Sequence, residues 1–118
     1  MFENKAVITK ENIENGMEFA VKQILANLDE FTYKFQNAYS ENGFYRPIDN
    51  NYWTTGFWTG EIWLAYEWSK DERLRKAADI QVESFLKRID EKYEVDHHDM
   101  GFLYSLSCVA AYKLTGNP

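Results

Sequence analysis

The chain has 118 residues with 19 acidic against 13 basic side chains, a formal charge of -6, and an apolar content of 45%. That length allows one small domain with an adequate core, and the acidic balance without any Lys/Arg run excludes a tracker of nucleic-acid phosphates. No apolar run is long enough to span a bilayer, and the start Met1-Phe2-Glu3-Asn4-Lys5 lacks the basic and apolar regions of a signal peptide. A cytoplasmic location and no membrane partner are therefore expected. The single cysteine, Cys108, agrees with a reducing compartment: it has no internal disulfide partner and lies in an apolar helical run.

Along the chain, Ile13, Met17, Ala20, Val21, Ile24, Leu25, Leu28 and Phe31 fall at three- and four-residue steps. Glu11, Glu14, Glu18, Lys22 and Gln23 lie between them, which predicts an amphipathic helix. Over residues 37–55 the pattern dissolves into Ser, Asn, Gly, Pro and Asp interleaved with Phe44, Tyr45, Tyr52 and Trp53. This reads as a long aromatic loop, either a binding loop or a lid over the core. Residues 56–68 then read as a helix apolar on nearly every side, and so surrounded by protein. Ser69 and Glu72 have the spacing of a capping box opening the next helix. Its apolar positions are Leu74, Ala78, Gln81 or Val82, Phe85 and Ile89, with Arg73, Arg75, Lys76, Asp79, Glu83, Lys87 and Arg88 on the wet face. A loop over residues 94–101 precedes a last helix, residues 102–114, with little polar surface, and Gly116 supplies its stop.

The order amphipathic, buried, amphipathic, buried suggests alternating outer and inner helices in an all-α fold. An internal repeat supports it: Gly56-Phe57 recurs as Gly101-Phe102, 45 residues on (101 minus 56), a period suited to stacked helical hairpins. The second unit lacks the outer helix that follows the first. Residues 1–118 are thus expected to be a single incomplete domain, the N-terminal part of a longer α/α protein, with the last inner helix partly uncovered.

The densest chemistry is Asp96-His97-His98-Asp99, just before the last helix. A helix start keeps carboxylates ionised and attracts anions, although Asp there is also a common structural cap. Inner helices of such an array run the same way, so the loops carrying Trp53 and Asp99 open at one face. An aromatic face beside a carboxylate suits a sugar, although aromatics in helices more often fill cores. Glycoside chemistry usually needs two carboxylates, and none of Asp49, Glu61 and Asp96 pairs convincingly with Asp99. No second His or Cys cluster completes a metal set, so no metal or cofactor is expected. The Asp-His-His string is also found in a phosphoesterase superfamily, but there it follows a β-strand, whereas here it follows a charged helix.

Two motifs carry a resemblance: Tyr52-Trp53-Thr54-Thr55-Gly56-Phe57-Trp58-Thr59-Gly60 with Leu64-Ala65-Tyr66-Glu67, and Asp96-His97-His98-Asp99-Met100-Gly101-Phe102-Leu103-Tyr104-Ser105. Over nearly the whole chain from the first helix onward, the sequence resembles the unsaturated glucuronyl hydrolases, also called unsaturated chondroitin disaccharide hydrolases. The resemblance implies the first hairpins of a six-hairpin (α/α)6 toroid. It also implies a small-molecule substrate, a disaccharide with a terminal C4–C5-unsaturated uronate, cleaved by hydration of that double bond. Asp99 matches the first of two aspartates around the ring, Trp53 matches a pocket-lining aromatic, and His98 is a further candidate for that lining. The second aspartate, the general acid and base of the family, lies beyond residue 118 in family members, so this chain alone is expected to be inactive. The alternatives are an unsaturated rhamnogalacturonyl hydrolase, a non-catalytic helical-hairpin binding module, and a decayed fragment without function.

Overall fold

The computed structural model describes residues 7–118, so the N-terminal pattern of residues 1–5 lies outside the described residues. The chain runs α1 (Lys10–Phe31), β1 (Phe35–Glu41), β2 (Phe44–Ile48), α2 (Thr55–Ser69), α3 (Glu72–Asp90), α4 (Met100–Tyr104), a π-helical turn (Ser105–Val109) and α5 (Ala110–Thr115). The last three form one continuous helix. The predicted helices are all present. The all-α expectation, however, is corrected by the hairpin in the region read as loop. Asn42 and Gly43 both have positive φ (52° and 80°), the conformation a two-residue turn needs to match strand twist. Glu41 pairs with Phe44 and Ser40 with Tyr45, and the register shifts before Gln36–Pro47 and Phe35–Ile48. With only two strands, both are edges, so Pro47 is tolerated.

Helix α1 starts on a reciprocal cap, in which the Thr9 hydroxyl accepts from the Asn12 N–H and the Asn12 side chain accepts from the Thr9 N–H. Helix α2 packs against α1, α3, β1 and the last helix. Its residues Trp58, Ile62, Trp63 and Ala65 join Phe31, Phe35, Leu74, Phe85 and Leu103 in the core. The Phe31 carbonyl, at the end of α1, accepts from Trp58 Nε1 of α2 (2.8 Å) and Gln81 Nε2 of α3 (2.7 Å). Gln81 Oε1 in turn accepts from the Thr59 hydroxyl at 2.6 Å. Three helices are therefore tied at one buried point, each polar atom finding the partner that burial demands.

Several local expectations are corrected. Lys70 in the left-handed region ends α2, and Asp71 rather than Ser69 caps α3, its carboxylate accepting from the Arg73 N–H at 2.9 Å. Hydrogen bonds from Arg73 hold the Asp71 carboxyl below the usual aspartate range. Helix α2 is not enclosed on all sides, because Leu64 is 60% exposed and Trp68 44%. On α3 the buried stripe ends at Arg88, assigned above to the wet face, while Ile89 is half exposed. In the last helix, the buried Ser107 hydroxyl donates to the Leu103 carbonyl, a local bond that competes with the α-helical ladder. The wider turn there keeps Leu103, Ser107 and Ala111, spaced by four, on one buried face.

The two glycines of the 45-residue repeat are not equivalent. A Cβ on Gly56 would lie 2.2 Å from the Phe102 carbonyl oxygen and 2.7 Å from Leu103 Cα, whereas a Cβ on Gly101 meets nothing within 4 Å. Gly56→Ala is therefore expected to push α4 off α2 and destabilise the protein by about 2 kcal/mol. Gly101→Ala should be neutral or stabilise by up to about 1 kcal/mol, since Ala is the better helix former. Urea denaturation of both variants checks this, and equal effects would contradict it.

Candidate functional site

Two loops meet at the N-terminal ends of α2 and the last helix. The first, residues 49–54, is held from within: Asn50, 8% exposed, donates through Nδ2 to Ser84 Oγ of α3 (2.9 Å) and accepts at Oδ1 from the Thr55 hydroxyl (2.6 Å). The second, residues 91–99, turns sharply through Lys92 and Glu94, both in the left-handed region at φ 52° and 48°. That conformation costs a non-glycine residue about 1 kcal/mol. The turn is braced by the Tyr93 N–H on the Arg88 carbonyl (2.8 Å) and by the Arg88 side chain.

Arg88 joins the two loops. Only 2% exposed, its guanidinium donates through Nη1 to Asn50 Oδ1 (2.9 Å), the Tyr52 carbonyl (3.3 Å) and Thr55 Oγ1 (3.4 Å). Nη2 reaches the Glu94 carbonyl (2.6 Å) and Nε the Tyr93 carbonyl (3.4 Å). Desolvation lowers its pKa from the ordinary arginine value. The residue was missed in the sequence because its charge suggested solvent. Yet positions 74, 78, 81, 85 and 88 continue one stripe at steps of four and three, a signal that was available.

From Glu94 the order passes to the acidic cluster. His97 Nε2 lies 3.0 Å from the Glu94 carbonyl, and His97 Nδ1 accepts from the Asp99 N–H at 3.2 Å. Asp99 stands at the start of α4, its carbonyl accepting from the Phe102 N–H (3.0 Å), but its side chain makes no cap hydrogen bond. The carboxylate is 23% exposed, with His98 Nε2 at 3.5 Å, and the His98 side chain is 93% exposed. Asp99 thus begins the helix without capping it, its carboxylate lying beside His98.

Above it lies an aromatic ledge. The Trp53 ring meets Phe57 at 6.2 Å, nearly edge to face, and Phe102 at 6.1 Å, while Phe57 and Phe102 lie 5.6 Å apart at 30°. All three stay partly exposed, at 39% to 48%. Phe102 therefore links the two predicted groups, touching Trp53 with its ring and bonded to Asp99 through its backbone. His98 lines an adjoining cleft of about 510 Å³ with Phe57, Gly101, Phe102, Ser105 and Leu106. Asp96 is exposed, and Asp49 forms a surface ion pair with Lys34. Glu61 lies on α2, where partial desolvation raises its carboxyl pKa; it lines an apolar groove of about 380 Å³ with Trp63, Leu64 and Leu114. Among the described residues no three His, Cys, Asp or Glu side chains converge on a point that could hold a metal ion, and no helix is long and apolar enough to cross a membrane.

The helical scaffold thus sets a carboxylate beside an aromatic ledge at the starts of α2 and the last helix. Comparison with known proteins narrows this. No family model matches the chain. The chain is 43% identical over 116 residues to the unsaturated chondroitin disaccharide hydrolase of Streptococcus agalactiae, covering 98% of this chain and 29% of that protein. To the unsaturated glucuronyl hydrolase of Bacillus sp. strain GL1 it is 44% identical over 86 residues, covering 73% of this chain and 23% of that one. The crystal structure of the Streptococcus agalactiae unsaturated glucuronyl hydrolase superposes with a TM-score of 0.92 at 43% identity, over 97% of this chain and 29% of that one. An unsaturated glucuronyl hydrolase specific for heparin superposes with a TM-score of 0.78 at 26% identity, over 92% of this chain and 29% of that one. The chain is thus a relative of the unsaturated glucuronyl hydrolases, and it spans less than a third of the length of those it matches.

The His97 bridge has a measurable consequence. His97→Phe removes both ring contacts, and losing the bond to the Asp99 amide, worth about 1 kcal/mol, should speed hydrogen exchange there about fivefold. Unchanged exchange at Asp99, measured by NMR in the folded variant, would show that the loop holds its shape without the ring.

Proposed function

We propose that this chain forms part of a hydrolase that hydrates the C4–C5 double bond of a terminal unsaturated glucuronate in glycosaminoglycan-derived disaccharides. The reading is carried by one observation: Trp53 and the uncapped Asp99 converge on Phe102, in a chain 43% identical to an unsaturated chondroitin disaccharide hydrolase. In the reaction a proton adds at C4, positive charge develops at C5 and the ring oxygen, and water adds at C5 with loss of its own proton. The resulting hemiketal opens and the neighbouring sugar leaves. In this scheme Asp99 binds sugar hydroxyls and stabilises the developing charge, Trp53 stacks on the ring, and His98 closes the side of the pocket.

By likeness to the family, the group that moves the proton is assigned to the length of the relatives that this chain does not span. The same reasoning assigns the surrounding architecture to an (α/α)6 toroid of which these helices are the first hairpins. The identity of 43% to a chondroitin disaccharide enzyme, against 26% to one specific for heparin, favours a chondroitin-type disaccharide. A half-buried free thiol, Cys108, whose pKa is raised by burial, agrees with action in the reducing cytoplasm.

In the full-length protein, Asp99→Asn should lower kcat by about 100- to 1000-fold while the fold and some substrate binding persist. Loss of the ultraviolet absorbance of the double bond measures turnover, and near-normal turnover by this variant would sink the assignment. Trp53→Ala should raise KM about tenfold through lost stacking, with unchanged helicity by circular dichroism. An unaltered KM would remove Trp53 from the binding surface. A protein that binds saturated and unsaturated disaccharides alike and turns over neither would be a binding module.

A further inference from the structure

We propose that Arg88 is the positioning residue of the cleft, setting the distance between Trp53 and Asp99 from a single buried point. Building on the function proposed above, the argument starts from what a guanidinium is. It is a planar fork of five N–H donors that cannot be met by water once buried. Among the described residues its hydrogen bonds go to no carboxylate. They divide between the two cleft loops: Nη1 holds Asn50, Tyr52 and Thr55 before α2, while Nη2 and Nε hold Glu94 and Tyr93 before the last helix.

A charge buried without an ionic partner is costly, and an apolar side chain would fill the same space without that cost. What the guanidinium adds is direction. The Tyr52 carbonyl it holds is joined through its peptide bond to Trp53. The Glu94 carbonyl it holds is shared with His97 Nε2, and His97 Nδ1 receives the Asp99 N–H. One rigid fork thus runs to the backbone beside Trp53 on one side and, through His97, to the backbone of Asp99 on the other, and its position near the C-terminal end of α3 places the charge at the favourable pole of that helix. Lysine, a flexible stem ending in a single ammonium, keeps the charge but cannot span both loops.

The test uses the full-length protein, labelled with 5-fluorotryptophan, with and without Arg88→Lys. The Trp53 resonance is assigned by its disappearance in Trp53→Phe. The proposal expects Arg88→Lys to move or broaden the Trp53 signal while those of Trp58 and Trp63 in the core stay in place. It also expects kcat/KM on the unsaturated disaccharide to fall about 100-fold, the cost of a misplacement of about 1 Å. A Trp53 signal and a kcat/KM both at the unaltered protein's values would overturn it. So would displacement of all the tryptophan signals together, which would make Arg88 a general packing residue. Absence of turnover in the unaltered protein would remove the hydrolase reading alone, and the fluorine spectrum would still decide whether Arg88 sets Trp53. Should Arg88→Lys not accumulate as folded protein, Arg88→Gln, neutral and with a smaller fork, is read in the same way.

Discussion

A guanidinium shut away from water needs acceptors on every side, and in this protein the acceptors of Arg88 are the backbone and side-chain oxygens of two separate loops. Neither loop has a hydrophobic core of its own. The first folds around Asn50, which is bonded to Arg88, Ser84 and Thr55 at once. The second carries two non-glycine residues in the left-handed region, a conformation that persists only where the surroundings over-determine it. The Arg88 fork supplies much of that constraint. The loops are therefore ordered by α3, although both lead into other helices.

The second constraint is close approach. Gly56 lets the backbone of α2 press against Phe102 and Leu103, and that contact brings the Phe57 and Phe102 rings together with Trp53 above them. The aromatic ledge is thus a by-product of helix packing at a glycine, and its rings stay partly exposed. Asp99 lies beside the ledge because it begins the helix that Gly56 admits. Its backbone is bonded to His97 and Phe102 while its carboxylate is left free of the cap it would otherwise form.

Packing and polar pairing meet again in the interior. Trp58 and Gln81 converge on the Phe31 carbonyl, so the end of α1, the middle of α2 and the middle of α3 share one acceptor. By contrast, α2 and the last helix leave Leu64, Val109 and Tyr112 well exposed, and among the described residues the Trp63 indole N–H has no hydrogen-bond partner. These helices are apolar nearly all round because two of their sides pack here and a third faces out. Periodicity alone reports the apolar surface and not which part of it is covered.

Read alone, the sequence determined the helices, their order, and the two motifs that carry Trp53 and Asp99, because apolar spacing and local chemistry are properties of short stretches of chain. The Asn42-Gly43 turn was equally local; it was obscured because aromatic residues on the flanking strands lie in a run otherwise rich in loop formers. Only the tertiary structure decided that Ser69 yields the cap to Asp71, that the last helix widens at Ser107, and that Gly56 but not Gly101 must be glycine. It alone decided which atoms the Arg88 fork meets. The glycine requirement and the first-loop partners of Arg88 depend on which distant backbone atom stands opposite, as the Phe102 carbonyl stands opposite Gly56 and the Tyr52 carbonyl opposite Arg88. Such pairings join residues far apart in the chain, and no spacing within a single stretch encodes them.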